Sequence, residues 1–330
     1  MTAASQAVST TKGLRGISGR SPGVAVAGAI VVIMAVIYSV GGKDQGLVTQ
    51  SVVSGLLLGG VYALISVGLT LIFGVLGIVN FAQGAMLTMA MYVVYALSTA
   101  GLPVYLATII AVPLMFVFGM IVQAALLTKL TVSGSHDGPL LVTLGLSLLI
   151  INVLLMIFGG RPQSVQAPVD GSLSVLGAVA SWPRVIAFVG AALVAFALTA
   201  VLRRTPLGLS IRAVASNSEG AKLVGVDIGR VYALTFGIGA ACVAVAGGLM
   251  TPFTSLTPSV GEQFTILAFV IVVLGGLGSV VGAVVGGLVI GLVQTVGALY
   301  LPGTGSLILV FAVFILVLFL KPEGLYGARR

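Results

Sequence analysis

The chain has 330 residues, of which 59% are apolar and 7% charged, and its mean hydropathy is +1.25. Soluble domains carry about 25% charge, so a water-soluble fold is excluded, and the net charge of +8 needs an explanation other than nucleic acid. One cysteine and one histidine exclude a disulfide framework and a Cys/His metal cluster.

Residues 1–20 are small, polar and basic and are expected to be disordered. Residues 24–40 are apolar. A basic leader before an apolar core also fits a signal peptide, but no A-x-A site follows it, which favours a first spanning helix. The charge-free runs are 21–42, 45–128, 138–160, 185–202, 231–261 and 263–320. At about 20 residues per span they hold roughly ten helices. The remaining nine are expected near 51–73, 85–100, 103–127, 139–159, 185–202, 231–251, 263–281, 283–301 and 305–320. Turn chemistry marks the joints, as at Gly101-Leu102-Pro103, Gly159-Gly160-Arg161-Pro162 and Pro302-Gly303. Blocks of this length exclude a membrane β-barrel, whose strands alternate. The expected fold is an all-α polytopic membrane protein, with residues 21–330 as a single transmembrane domain.

Lysine and arginine stay on the cytoplasmic side of such proteins. With the amino terminus inside, twelve of the fifteen basic residues fall inside, and only Lys43, Arg161 and Arg184 fall outside. Both termini are therefore expected in the cytoplasm, and the basic excess becomes a topology signal. Five helices per half would invert the two halves relative to each other. No residue-level repeat stands out, so parity alone carries that expectation.

The longest inside loop, 203–230, has five basic and two acidic residues. Its middle reads as a short helix: Ser216, Asn217 or Ser218 can cap it, Glu219 suits its first turn, and Gly225 can end it. It is either a solvated connector or a docking surface for a cytoplasmic partner. Asn80 and Gln83 are amides inside the 84-residue charge-free run 45–128, where such groups need partners or a cavity. Nearby Gly74, Gly77 and Gly84 permit an interrupted helix. A substrate pathway and interhelical hydrogen bonding are both open for this pair. Gly275, Gly276, Gly278 and Ser279 break the eighth and ninth spans, as an inner gate or as a kink. Gly282, Gly286, Gly287 and Gly291 suit close helix contact, within the subunit or with a second one.

Several stretches carry a resemblance, among them Leu274-Gly275-Gly276-Leu277-Gly278-Ser279 followed by Gly282-Ala283, which is similar to a second glycine-rich turn of the LivH-type branched-chain amino-acid permeases. Glu219-Gly220-Ala221-Lys222-Leu223-Val224-Gly225 resembles the E-A-A-x-x-x-G coupling motif of ATP-binding-cassette importer permeases, with Gly220 in place of the usual alanine. Gly77-Ile78-Val79-Asn80-Phe81-Ala82-Gln83-Gly84 resembles the G-x-x-N-F-A-H-G segment of the LivH-type branched-chain amino-acid permeases. The tail Lys321-Pro322-Glu323-Gly324-Leu325 is similar to that family's ending. Gln83 stands where the family often has histidine, and Ala85 where it often has a carboxylate. The resemblance covers roughly 48–326.

It implies a permease subunit without its own ATPase site, needing no cofactor and no metal. Two cytoplasmic ATPases would move a helix at 216–225 through Ser216, Asn217, Glu219, Ala221 and Gly225. An extracytoplasmic binding protein would deliver substrate, and a second permease of similar fold would complete the path. Substrate would pass Asn80, Gln83, Gly84, Gly275, Gly276, Gly278 and Ser279. The residues agree with a borrowed energy source: there is no G-x-x-x-x-G-K-[ST] loop, and the expected spans hold no Asp, Glu, Lys or Arg. Urea or short amides are the competing substrates within this class. A cation-coupled transporter or channel is the competitor outside it, and would be marked by an intramembrane carboxylate.

Overall fold

The computed structural model describes residues 45–128, 137–166, 169, 171–175, 177–301 and 303–326. The basic segment 1–20, the first span expected at 24–40 and His136 lie outside the described residues. Helix α1 (Gln45–Leu76) is followed by α2 (Gln83–Thr99) and α3 (Val104–Val122), which a π-helical turn (Gln123–Leu127) continues. After α4 (Asp137–Phe158), a hairpin of β1 (Ser172–Val175) and β2 (Ala178–Ser181) leads into α5 (Trp182–Arg204). Two short helices, α6 (Pro206–Ser216) and α7 (Ser218–Leu223), precede α8 (Ile228–Met250) and its 3-10 extension (Thr251–Phe253). The last three helices are α9 (Glu262–Gly275), α10 (Val280–Tyr300) and α11 (Gly305–Leu320).

Among the described residues, six helical segments are long and apolar enough to cross a membrane: Gly46–Leu76, Val104–Leu127, Gly138–Phe158, Trp182–Arg204, Ile228–Phe253 and Val280–Tyr300. The protein is a polytopic α-helical membrane protein. Helices occupy every segment expected between 51 and 320, with shifted ends. One of the two largest shifts is at α9, which stops at Gly275 because Gly276 and Gly278 take φ of 102° and 84°, conformations costly for a residue with a Cβ. At 14 residues, α9 is about 21 Å long, short of the roughly 30 Å hydrocarbon core. The hairpin was not expected from the sequence. Its register pairs Ser172 with Ser181 and Val175 with Ala178.

Small residues mark the closest helix contacts. Lipid is as apolar as leucine, so helices associate where small side chains let backbones approach. The most apolar windows of α1 and α8 are 78% and 72% buried, against 22% for α4. A Cβ on Gly287 of α10 would lie 2.5 Å from Ala63 Cα of α1, and one on Gly59 of α1 would lie 2.9 Å from the Gly287 carbonyl oxygen. Thus the glycine row of α10 packs within the subunit, against α1. A second seam joins α3 to α8, where a Cβ on Gly119 would lie 3.0 Å from Gly237 Cα. Outward faces carry large side chains instead, such as Leu148, Met156 and Phe196.

The ends of α1 distinguish two faces of the molecule. Near its start, Gln50 Nε2 donates to the Val179 carbonyl (2.8 Å) and the Val179 N–H donates back to Gln50 Oε1 (2.7 Å), fastening the hairpin. Gln163 and Leu256 exchange two backbone hydrogen bonds of 2.9 Å each, tying the α4–β1 connection to the chain ahead of α9. The other end of α1, a helix of 32 residues and so about 48 Å long, meets α6.

Candidate translocation joint and coupling surface

Helix α1 ends at Gly77, whose φ is +70°, and α2 begins only at Gln83. Asn80 lies inside this break with no exposed surface, as does Gln83. Asn80 Nδ2 donates to Gln83 Oε1 (3.0 Å), and Asn80 Oδ1 accepts from the Ala82 N–H (3.0 Å). Gln83 Nε2 reaches the Ile65 carbonyl on α1 (3.3 Å), and the Phe81 N–H donates to Thr143 Oγ1 on α4 (3.3 Å). Side chains thus replace the backbone ladder that the break removes, as burial in hydrocarbon requires.

Gly84 opens α2 directly against Gly261, the residue that opens α9. The contact is reciprocal: a Cβ on either would overlap the other's carbonyl oxygen. Thr88 Oγ1 bonds back to the Gly84 carbonyl (3.1 Å), and Thr265 Oγ1 to the Gly261 carbonyl (3.5 Å), while the Gly84 N–H crosses to Thr265 Oγ1 (2.9 Å). One chain separation relates Gly84 to Gly261, Thr88 to Thr265, Val93 to Val270, Leu97 to Leu274 and Gly101 to Gly278. Gly101 and Gly278 both take positive φ, at 98° and 84°. Sequence reading missed Gly261 and Thr265 because five identities spread over 18 positions are invisible without the contact that pairs them.

The second glycine-rich turn is held by the carboxy-terminal tail. Leu325 N–H donates to the Leu274 carbonyl (2.8 Å) and Tyr326 N–H to the Gly275 carbonyl (2.9 Å), satisfying acceptors that the end of α9 leaves open. A Cβ on Gly324, whose φ is +77°, would lie 2.6 Å from Gly276 Cα. Ser279 Oγ caps α10 by accepting from the Gly282 N–H (3.1 Å). The tail and the turn are therefore one structure.

Residues 203–230 form two capped helices rather than one. Thr205 Oγ1 caps α6 through the Gly208 N–H (3.1 Å), Pro206 fills its first turn, and Ile211 and Val214 are buried beneath it. Arg212 Nη1 donates to the Leu202 carbonyl at the end of α5. Asn217 caps α7, its Oδ1 accepting from the Gly220 N–H (2.9 Å), with Glu219 in the first turn. Gly225 reverses the chain at φ +88°, and the Val226 N–H closes on the Ala221 carbonyl (3.0 Å). Ala221 faces inward, whereas Leu223 and Val224 are 89% and 79% exposed.

A cavity of about 920 Å³ opens on this face. Its walls bring together Phe73, Gly74 and Gly77 at the end of α1, Gly278 of the turn, Ser216, Asn217 and Glu219 between α6 and α7, and Glu323 of the tail. Asn80, Gln83 and Gly84 are not among its lining residues. Gly275, Gly276 and Ser279 belong to the turn whose Gly278 reaches the wall, and Ala221 and Gly225 are not among the lining residues.

The model of the family described as the branched-chain amino acid transport system permease component matches residues 51–318. The chain belongs to this family. It is 30% identical over 296 residues to the high-affinity branched-chain amino acid transport system permease protein BraD of Pseudomonas aeruginosa, covering 84% of this chain and 95% of that protein. It is 30% identical over 292 residues to LivH of Escherichia coli K12, a permease of the same description, with the same coverage. A more distant relative is the galactofuranose transporter permease YtfT of Escherichia coli K12, at 27% over 249 residues, 75% of this chain and 69% of that protein. The family's permeases share the region that contains the joint, the turn and α6–α7, since the match begins just inside α1 and ends within α11.

Proposed function

We propose that this chain is the membrane-spanning subunit of an ATP-driven importer for branched-chain amino acids, in a bacterial cytoplasmic membrane. It crosses that membrane ten times with both termini in the cytoplasm and two inverted halves. The basic-residue bias supports the orientation, and the reciprocal contact of α2 and α9 supports the inversion. The observation that carries the reading is the 920 Å³ cavity, because its wall joins the coupling segment to the glycine breaks of the spans. α7 packs on α6 and α8, and α6 packs on α1, so a push on α7 passes through α6 to the wall that holds Gly278.

Two cytoplasmic ATPases dock on α7, where Leu223 and Val224 project and Glu219 sits on the first turn. A binding protein delivers substrate at the hairpin face, and a second permease of similar fold completes the path. Asn80, Gln83 and Gly84 with Gly275, Gly276, Gly278 and Ser279 form the movable part of that path. Their side-chain bonds hold one arrangement of two interrupted helices, and interrupted helices are where transporters switch.

The test is Glu219→Lys in the assembled complex. The charge reversal at the first turn of α7 opposes the helix dipole and the docking surface together. Uptake and ATPase co-purification are expected to fall by about tenfold or more with membrane insertion unchanged. Normal uptake with normal ATPase recruitment would remove α7 from the coupling role.

A further inference from the structure

On the hairpin face, a pocket of about 280 Å³ lies between the start of α1, the start of α5, the end of α8, the start of α9 and α10. We propose that this pocket receives the amino acid on entry, with its α-carboxylate on Arg184 and its aliphatic side chain on the floor. The proposal rests on the reading of the chain as an amino-acid permease and adds the residue that recognises the substrate.

Four observations support it. Arg184, on the first turn of α5, lines the pocket and has no ion-pair partner among the described residues. Its guanidinium carbon sits 5.9 Å from the centre of the Phe253 ring, a contact that steadies the fork while leaving its N–H edge available to a carboxylate. The floor is apolar, made by Leu57, Leu58, Met250 and Phe264, and Phe264 is itself fixed against Tyr62 at 5.9 Å. The hydroxyl of Thr295 donates to the Gly291 carbonyl (2.7 Å), so its oxygen can only accept, which suits an ammonium group.

Size and charge then choose the ligand. The volume is at the small end of the about 300–1,000 Å³ typical of ligand pockets, enough for one aliphatic amino acid. Urea has neither a carboxylate for Arg184 nor a body for the floor. A sugar would leave its hydroxyls facing leucine and methionine. No carboxylate lines the pocket, so the ammonium is met by neutral oxygens and the substrate is held loosely enough to move on. An acidic loop of the delivering protein would also be drawn to Arg184, but a concave apolar floor fits a side chain rather than a protein surface.

The experiment is ATP-driven uptake of labelled leucine by the full transporter in proteoliposomes, with three variants of this subunit. Arg184→Gln is expected to lower uptake by about tenfold or more, the worth of a charged hydrogen-bonded pair, while Arg184→Lys retains part of it. Thr254→Phe fills the pocket from a non-helical position and is expected to exclude leucine more than alanine. Capture of the binding protein by the complex should remain as in wild type for all three. Wild-type leucine uptake in both Arg184→Gln and Thr254→Phe would overturn the site. Loss of uptake in step with loss of binding-protein capture would also overturn it, assigning Arg184 to protein docking instead. Failure of the wild-type complex to take up leucine at all would overturn the transport reading itself, a result separable from either of these.

Discussion

The α1–α10 seam and the α2–α9 joint are both contacts between glycines, and they are built differently. The α1–α10 seam runs along several turns, with Gly55, Gly59 and Ala63 facing Gly287 and Gly291. The α2–α9 joint is end-on and rests on one pair, Gly84 and Gly261, each overlain by the other helix's threonine. A spread contact distributes any strain along two helices, whereas a point contact converts one added methyl into displacement of two helix ends. The proposed mechanism therefore takes the seam as the frame and the joint as the part that moves.

The largest effect should come from breaking the frame. Leucine at Gly287 has no space, since even its Cβ would lie 2.5 Å from the Ala63 backbone. Gly287→Leu is expected to lower stability by at least about 3 kcal/mol, the upper part of the range for overpacking. Thermal unfolding in detergent and the yield of monodisperse protein measure this. A wild-type melting curve would mean that α1 and α10 separate freely, and the division into frame and joint would fail.

The joint makes a sharper prediction because it is symmetric. Gly84→Ala and Gly261→Ala each insert a methyl at the same contact from opposite sides. Both are expected to cut the initial uptake rate by roughly tenfold, equal to about 1.4 kcal/mol, with a much smaller change in melting temperature than Gly287→Leu. Because the two act on one contact, the double variant should fall short of the product of the single effects. Unequal single effects, or strict multiplicativity, would show that the two glycines serve separate functions.

The same contrast explains what was legible in the sequence. Helix positions were legible because hydrocarbon demands continuous apolar runs and water demands polar joints. Which helices lie inside was not, since α1 and α4 have comparable hydropathy, 2.3 and 2.7, yet differ in burial by 78% to 22%. In a membrane both lipid and core accept the same residues, and only side-chain size separates them. Local chemistry was also legible: a cap among Ser216, Asn217 and Ser218, the place of Glu219 and the reversal at Gly225 are spaced within one or two turns, and the structure selects Asn217 as the cap. Asn80 and Gln83, three residues apart, were recognisable as a polar pair. Their partners were not, because Thr143 and Ile65 meet the break only through tertiary packing. The tail was recognised by its resemblance alone; its physical reason, capping the carbonyls of Leu274 and Gly275, appears only in the fold. Arg184 read as one of three outside basic residues, and nothing near it in sequence places Leu57, Leu58 or Thr295 beside it.

The smallest effect tests how far the frame's stiffness extends. Gln50 lies near the start of α1, beyond the first seam glycine, and its amide is matched to both the N–H and the carbonyl of Val179 at 2.7 and 2.8 Å. These bonds are exposed, so water can replace them, and Gln50→Ala is expected to cost only about 0.5–1.5 kcal/mol. That cost should fall on the hairpin rather than on the bundle. Hydrogen exchange at the Val179 amide is expected to rise while protection at the buried residues of α1, such as Leu64 and Val67, stays as in wild type. Stimulation of the ATPases should be unaffected, because α6 and α7 sit at the other end of α1. If exchange rose along α1 as well, the hairpin would be part of the frame, and the rigid unit would reach the hairpin face.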